Sequence, residues 1–521
     1  MEKLLFEWQE KCLAEWFNNK CKGIVNVTTG AGKTVMALAA ISELEKNNSC
    51  SHGIRYKIVV PKVFLVQQWK KALVDELGVS ADHIGCYYGV HKDKPDKTFM
   101  IYVINSARYS LARHVLSDFN DGYSVFLIAD ECHHYGSKEN YKIFDFLPVI
   151  AGKSVNYYSL GLSATPETPA YNENLIPVLG REIYKYSISD AVESDIICDF
   201  AVFNIRLDFS EEEKIEYNDY TYKMGKIYTQ LMNIYPVFAE LPGDIFFAEL
   251  RRIAGKSDSE LANLAEAFLT LTYKRTELVH FASARRACTR ELIRCLRDDT
   301  RIIIFGERIE MAEAIYGDLS KICPGQVGKY HSLMSVQEKR NVLYRYRNFE
   351  IRILVSCRAL DEGLNVPETD VGIVVSSTQT DRQRIQRLGR ILRRKDPWHI
   401  AKLYYLFLDT SYEYTEFLNL SSDKVDRIKA YNMSFDSKTL EFQFPEYEYL
   451  SYKAFEKIST QISDPRILSE LKKNIRKGIV NSDFLMTEES CRERIESAIS
   501  KDERNYYITM LNIITEWRRD Y

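Results

Sequence analysis

Short runs of aliphatic and β-branched residues, each closed by a turn and followed by a helical stretch, recur along about the first two hundred residues: GIVNV, YKIVV, MIYVI, VFLIAD and YSLGLS. Each run is nearly continuous in its apolar residues, as central strands of a parallel sheet covered on both faces must be. The helix expected over VMALAAISELEK after the first turn keeps its apolar face toward such a sheet. From about Ser210 to Asp299 the rhythm stops, and long helical patterns such as SELANLAEAFLTLTYKRTELVHF take over. It resumes in RIIIFGE, GKYHS, IRILVS, VGIVVSS and AKLYYLFL and ends near Asp409; beyond Tyr412, an aromatic and acidic connection (FQFPEYEYLSYKAF) leads into a helical tail of mixed charge. The expected fold class is therefore α/β, with two tandem parallel-sheet domains, a helical spacer and a helical C-terminal tail. The corresponding boundaries are 1–205, 206–298, 299–412 and 413–521.

A chain of 521 residues that is 45% hydrophobic can bury several cores, roughly three or four by length alone. The net charge of -3 supplies no global basic field, so any nucleic-acid contact must come from local Lys and Arg clusters. Eleven cysteines are scattered singly without a Cys-x-x-Cys pair, which reads as reduced thiols rather than a disulfide frame or zinc site. The N-terminal MEKLLFEWQEKC has acids in its first turns and no long apolar core, so it is not read as a secretory signal. No apolar run approaches the roughly 20 residues of a membrane span, and a cytoplasmic protein without a membrane partner is expected.

Two stretches carry chemistry. NVTTGAGKT follows a strand and opens a helix, where a phosphate-binding loop must sit, although Val27 occupies the first glycine position of the usual Gly-x4-Gly-Lys-Ser/Thr pattern. Gly30 and Gly32 allow backbone N–H groups of Thr29, Ala31 and their neighbours to turn toward an anion, Lys33 can reach the β and γ phosphates, and the Thr34 hydroxyl can take a Mg ion. The bland alternative is a chance turn. In VFLIADECHHYG an apolar strand delivers Asp130 and Glu131 at its carboxyl end, where ligands of doubly wound sheets bind. Asp130 can hold the metal ion through water while Glu131 orients and deprotonates an attacking water; alone, the pair reads as solvated acids opening a turn. His133 and His134 lack a third ligand at fitting spacing, so His133 is assigned coupling and His134 no role.

TTGAGKT, DECH about a hundred residues later and GLSATP about thirty beyond that resemble motifs I, II and III of superfamily 2 DEAD/DEAH-type helicases and translocases. In that superfamily the loop commonly lacks its first glycine, which accounts for Val27. The segment VSCRALDEGLNVPETDVGIVVSSTQTDRQRIQRLGRILRR resembles motifs V and VI. Arg384, Arg387, Arg390 and Arg393 recur every third residue; the bland reading is a solvated or phosphate-facing stripe. The resemblance implies that Arg390 and Arg393 act as arginine fingers on the γ-phosphate and that Gln386 couples. FEWQEKCLAEWF resembles the glutamine-bearing first helix, with Gln9 on the adenine edge, its alternative being an ordinary amphipathic helix. VVPKVFLVQQW and INSARYSLAR resemble motifs Ia and Ib, IIIFGE resembles motif IV, and YHSLMSVQEKR the segment after it. The implied architecture is two RecA-like domains with ATP and Mg2+ between them. The implied strand contacts are Pro61, Lys62, Arg108 and Ser356, and the implied coupling residues of motif III are Ser163 and Thr165.

LDEGLNVP and QRLGRILRR bring the resemblance nearest to xeroderma pigmentosum group B-like helicases and type I restriction motors. Gly363-Leu364-Asn365 stands where the family often has Gly-Ile-Asp, so the implied ribose contact of Gly363 and Asn365 ends in an amide. ETPAYN stands where the repair group has Arg-Glu-Asp, and no damage-recognition domain is expected before a motor that starts so near the first residue. The expected function is an ATP-dependent motor on nucleic acid, most simply double-stranded DNA. Two alternatives are an ATP-switched DNA clamp and the motor subunit of a restriction or antiviral defence assembly with a nuclease, or another defence or repair protein, as partner.

Overall fold

A computed structural model describes residues 5–47, 52–168, 171–255, 259–357, 369–376, 400–409, 428–443, 456, 459–480 and 488–519. Two compact units emerge, parting in the main between Phe200 and Ala201. In the first, eight strands form one sheet: β1 (Lys22–Val27), β2 (Ile54–Val60), β3 (Ile84–Tyr88), β4 (His91–Lys92), β5 (Phe99–Val103), β6 (Ser124–Asp130), β7 (Tyr157–Ser163) and β8 (Glu182–Tyr186). Their order is β4-β3-β5-β2-β6-β7-β1-β8. All neighbours run parallel except the β3–β4 hairpin.

Register matters more here than strand count. Asp130 of β6 pairs with Leu162 of β7, and Asn26 of β1 pairs with Ser163 of β7. The ends of three parallel strands therefore form one row, and whatever follows them in the chain must share one edge. Beneath that row lies a core of Ile24, Val59, Met100, Tyr102, Val125, Leu127 and Ala129. Trp16 closes the far side: its ring lies 5.0 Å from Phe126 and its Nε1 donates to the Ser159 carbonyl at 2.9 Å, giving the indole N–H the partner that burial requires.

The second sheet contains β9 (Asp199–Leu207), β10 (Ile302–Gly306), β11 (Val327–Tyr330), β12 (Ile353–Cys357), β13 (Val371–Val374), β14 (Ile400–Leu408), β15 (Ile428–Asp436) and β16 (Glu441–Gln443). The order is β11-β12-β10-β13-β14-β9-β15-β16. The helices Glu211–Ile234, Gly243–Ala254 and Glu260–Phe281 form an insert with its own small core around Leu231, Phe246, Leu250 and Phe268. Glu213 fastens both ends of this insert, accepting from Ser210 N at 2.9 Å and from Ser283 N at 2.8 Å. The C-terminal helices Pro465–Val480, Glu488–Ser497 and Lys501–Arg519 bury Leu471, Cys491, Met510 and Ile513 in the core of the second unit. That tail caps the second sheet, and it is not wholly helical, because β15 and β16 precede the helices.

Every strand read from an apolar run is present, with ends that differ by up to three residues. The strands not foreseen are β3, β4, β8, β9, β15 and β16. Five of these lie at or beside sheet margins, where one flank faces solvent and the apolar run is interrupted, as in EIYKY of β8. β9 is buried but sits directly before the helical insert, and its neighbours β14 and β15 come about two hundred residues later. Among the described residues no helix is long and apolar enough to cross a membrane.

Candidate active site

The loop after β1 answers the question posed by Val27. The Val27 side chain is fully buried at the end of the strand, and its carbonyl accepts from Lys33 Nζ at 3.1 Å. A glycine here would lose core packing without freeing any group the loop uses. Freedom is needed further on, at Gly30 (φ 91°) and Gly32 (φ 99°), whose conformations only glycine adopts cheaply. Gly32 begins the helix Lys33–Lys46, so the first N–H groups of a 14-residue helix open onto the loop. Ala31 is buried beneath, and Thr28 Oγ1 and Thr29 Oγ1 are buried without a hydrogen-bond partner. Unsatisfied hydroxyls in a turn of amide donors fit a phosphate-bearing ligand, and half-buried Thr34 is the second residue of the helix.

Gln9, buried on the helix Glu7–Asn18, touches this loop directly. Its Nε2 donates to the Gly32 carbonyl at 3.1 Å and its Oε1 accepts from Phe6 N at 2.9 Å. A Cβ at Gly32 would come within 2.8 Å of that amide. In this structure Gln9 therefore buttresses the loop.

At the end of β6, Asp130 is held from two sides: Oδ2 accepts from Trp69 Nε1 at 2.8 Å, and Oδ1 from Glu131 N at 3.1 Å. Burial raises its pKa above the ordinary carboxylate value, opposed by the Trp69 hydrogen bond, the Lys33 charge and the Glu131 N–H. Trp69 was not foreseen. Apolar spacing on the helix Val63–Leu77 (Leu65, Val66, Trp69, Leu73) would have turned it inward, but nothing in the chain named its partner. Among the described residues no group of three or more His, Cys, Asp or Glu side chains could hold a metal ion. One carboxylate and one hydroxyl, Asp130 and Thr34, suit an ion that keeps several waters and takes its remaining oxygens from a phosphate, as Mg2+ does.

Glu131 adopts φ 49° and ψ 53°, a left-handed conformation in a residue with a Cβ. Such backbone costs about 1–3 kcal/mol and clusters at functional sites. His133 Nδ1 lies 3.5 Å from Glu131 Oε2 and 2.9 Å from Ser163 Oγ, and that Oγ accepts from Thr165 N at 3.1 Å. Glu131, His133, Ser163 and Thr165 thus form one continuous chain of contacts across β6 and β7. His134 Nε2 is outside it; the neighbouring Asn140 Nδ2 donates to the His134 carbonyl at 2.8 Å.

Pro61 is buried and Lys62 exposed at the start of the helix Val63–Leu77. Arg108 is half-buried, its Nη2 donating to Asn105 Oδ1 at 2.6 Å. Ser356 is buried in β12 opposite Phe305 and Tyr330, and its Oγ has no hydrogen-bond partner. Gly363, Asn365, Gln386, Arg390 and Arg393 lie outside the described residues.

Residues 2–168 match the family described as Type III restriction enzyme, res subunit, and residues 284–395 the Helicase conserved C-terminal domain. In both of these segments the chain is similar to superfamily 2 helicases and translocases. It is 28% identical over 397 residues to the DNA 3'-5' translocase XPB2 of Sulfurisphaera tokodaii, covering 75% of this chain and 79% of that protein. It is 23% identical to the putative DNA 3'-5' helicase Rad25 of Halobacterium salinarum, over 72% of this chain and 50% of that protein. The helicase domain of Pyrococcus furiosus Hef shares its fold at a TM-score of 0.50 with 18% identity, covering 80% of this chain and 97% of that one. The type ISP restriction-modification enzyme LlaBIII does so at 0.50 with 15% identity, over 96% of this chain and 37% of that one. The two sheets are accordingly tandem RecA-like domains, and the chain is an enzyme of the class that uses ATP to act on nucleic acid.

Proposed function

We propose that this helicase-family chain is an ATP-dependent translocase on double-stranded DNA, moving 3'-5' along one strand. The relatives' printed activities and DNA substrate support that reading. The observation that carries it is the single row in which Lys33, Asp130, Glu131 and the His133–Ser163 contact meet. Lys33 exchanges the Val27 carbonyl for the β and γ phosphates. Thr34 and Asp130 would hold Mg2+, which would supply charge neutralisation for the phosphates. Glu131 accepts the proton of the attacking water. Gln9, leaving the Gly32 carbonyl, reads the adenine edge, while Gly363 and Asn365 contact the ribose. Arg390 and Arg393 stabilise the transferred group's charge from the second domain, and Gln386 couples them to the strand. His133, Ser163 and Thr165 pass the state of the nucleotide to Pro61, Lys62, Arg108 and Ser356, whose contacts are to phosphates and hence largely independent of sequence.

A second reading makes the chain the motor of a restriction or antiviral defence assembly with its nuclease on a partner. The restriction-type match over residues 2–168 favours it. The test is an ATPase rate compared with duplex DNA, single-stranded DNA and RNA, alongside displacement of a triplex-forming strand from duplex. Duplex-stimulated hydrolysis with triplex displacement is expected, and Lys33→Ala abolishes both. Hydrolysis that persists in Lys33→Ala, or wild-type protein that never consumes ATP, rejects the proposal; stimulation without displacement leaves a clamp.

A further inference from the structure

The helix Ser283–Cys295 turns an arginine inward. Arg285, Cys288, Thr289 and Leu292 follow the spacing of one helical face, and all four are buried, Arg285 at 0% exposure. Arg286 next to it points outward and pairs with Asp318 at 2.8 Å, as a surface arginine does. Arg285 donates instead to main-chain carbonyls of three other segments: from Nε to Val279 at 2.8 Å, and from Nη1 to Leu406 at 3.1 Å and to Val375. Val279 lies in the last turn of Glu260–Phe281, the helix by which the insert returns to the second sheet. Leu406 lies in β14, and Val375 directly follows β13.

A second path joins the same elements. Glu307 N, just after β10, donates to Ser376 Oγ at 3.2 Å, and Ser376 follows Val375. The Arg308 guanidinium lies 5.7 Å from the ring centre of Tyr273, which is on the insert's return helix. The contacts close into a ring that runs from the return helix through Arg285 to the end of β13, on to the end of β10, and back to the same helix. Because the insert has a core of its own, its placement against the second sheet depends on such fastenings. An apolar side chain could fill the Arg285 site, and burying a guanidinium costs desolvation that only well-placed acceptors offset. What the guanidinium adds is position: its planar fork has fixed donor directions and is satisfied only when the three carbonyls stand where they do.

We infer that Arg285 is a positioning residue, holding the end of β13 and the insert in one arrangement so that the two shift together through the ATPase cycle. The chain after Val375 leads toward Gln386, Arg390 and Arg393, so the insert's placement bears on the groups assigned to the γ-phosphate. The inference rests on the reading of the chain as a nucleic-acid-dependent ATPase. Its test uses the full chain with saturating duplex DNA. Arg285→Lys keeps the charge and loses the fork: kcat falls roughly ten- to hundredfold, KM for ATP stays within about twofold, and circular dichroism shows an unchanged fold. Amide exchange speeds up together in residues 268–281 and 371–376 and stays as in wild type in residues 22–60. Tyr273→Leu, at a 54% exposed position where folding is not at stake, opens the other side of the ring and lowers kcat by about two- to fivefold. Wild-type kcat in both variants, or exchange that does not rise in both segments, overturns the inference. So does a rate loss in Arg285→Lys matched by an equal loss of folded protein while Tyr273→Leu behaves as wild type. Wild-type protein that consumes no ATP with any polynucleotide rejects the motor reading, and the exchange pattern then decides the Arg285 joint by itself.

Discussion

Trp69 Nε1 donates a 2.8 Å hydrogen bond to Asp130 Oδ2, tying the last residue of the motif Ia segment to the first acid of motif II. The bond favours the charged carboxylate against the burial that raises its pKa. Trp69→Phe keeps the packed ring and removes only the donor. The Asp130 pKa then rises further, so the acid limb of the ATPase profile moves to higher pH and Mg2+ is bound about 10- to 100-fold more weakly, as when other outer partners of metal ligands are lost. A profile and a Mg2+ titration identical to wild type would falsify this role.

Glu131 combines a proposed chemical task with a strained backbone, and two substitutions separate them. Glu131→Gln keeps the left-handed residue and removes the base, so turnover is lost while thermal stability stays near wild type. Glu131→Gly also stops turnover but relieves the strain, raising stability by up to about 1 kcal/mol after the entropy cost of glycine. Calorimetric melts of the two variants side by side check this, and a Glu131→Gly protein that melts below Glu131→Gln contradicts it.

Val27→Gly would restore the glycine that the usual phosphate loop carries. It does not speed hydrolysis, because the loop uses the Val27 carbonyl, which any residue provides. Deleting the fully buried side chain instead lowers stability by about 2–4 kcal/mol. Denaturant unfolding measures the loss; a variant that is faster and equally stable would show Val27 to be a defect.

His114 makes the first unit sensitive to acid. Burial, then the charges of Lys57 and Arg113, hold its pKa down at about 4, while Nδ1 lies 2.9 Å from Tyr102 OH. The unfolded chain binds this proton near pH 6.5 and the folded chain only near 4, so the contribution is complete above 6.5 and is lost as pH falls toward 4. Nearby Asp118, paired with Lys57 at 2.7 Å, has a raised pKa and works in the opposite sense at the low end. In His114→Gln the decline between these values is shallower than in wild type. Equal slopes in pH-dependent melts would remove His114 from the account.

Local residue order decided much of this protein. Continuous apolar runs mark the inner strands because a strand covered on both faces has no polar side to show, and the spacing of TTGAGKT, DECH and GLSATP lets the superfamily be recognised. Conformational demands that belong to one residue, such as positive φ at Gly30 and Gly32, are likewise written locally. What the linear order leaves open is every relation that depends on which strands become neighbours. Trp69 meets Asp130 across 61 positions and His133 meets Ser163 across 30, and only the strand order β2-β6-β7-β1 and its register bring these pairs within hydrogen-bond reach. The same holds for β9 and for the marginal strands β8 and β15, whose pairing energy comes from partners distant in the chain. Hydrogen bonds fall off over a few tenths of an ångström, so they are settled by tertiary placement, whereas hydrophobic periodicity and backbone preference act over a few residues and can be read directly.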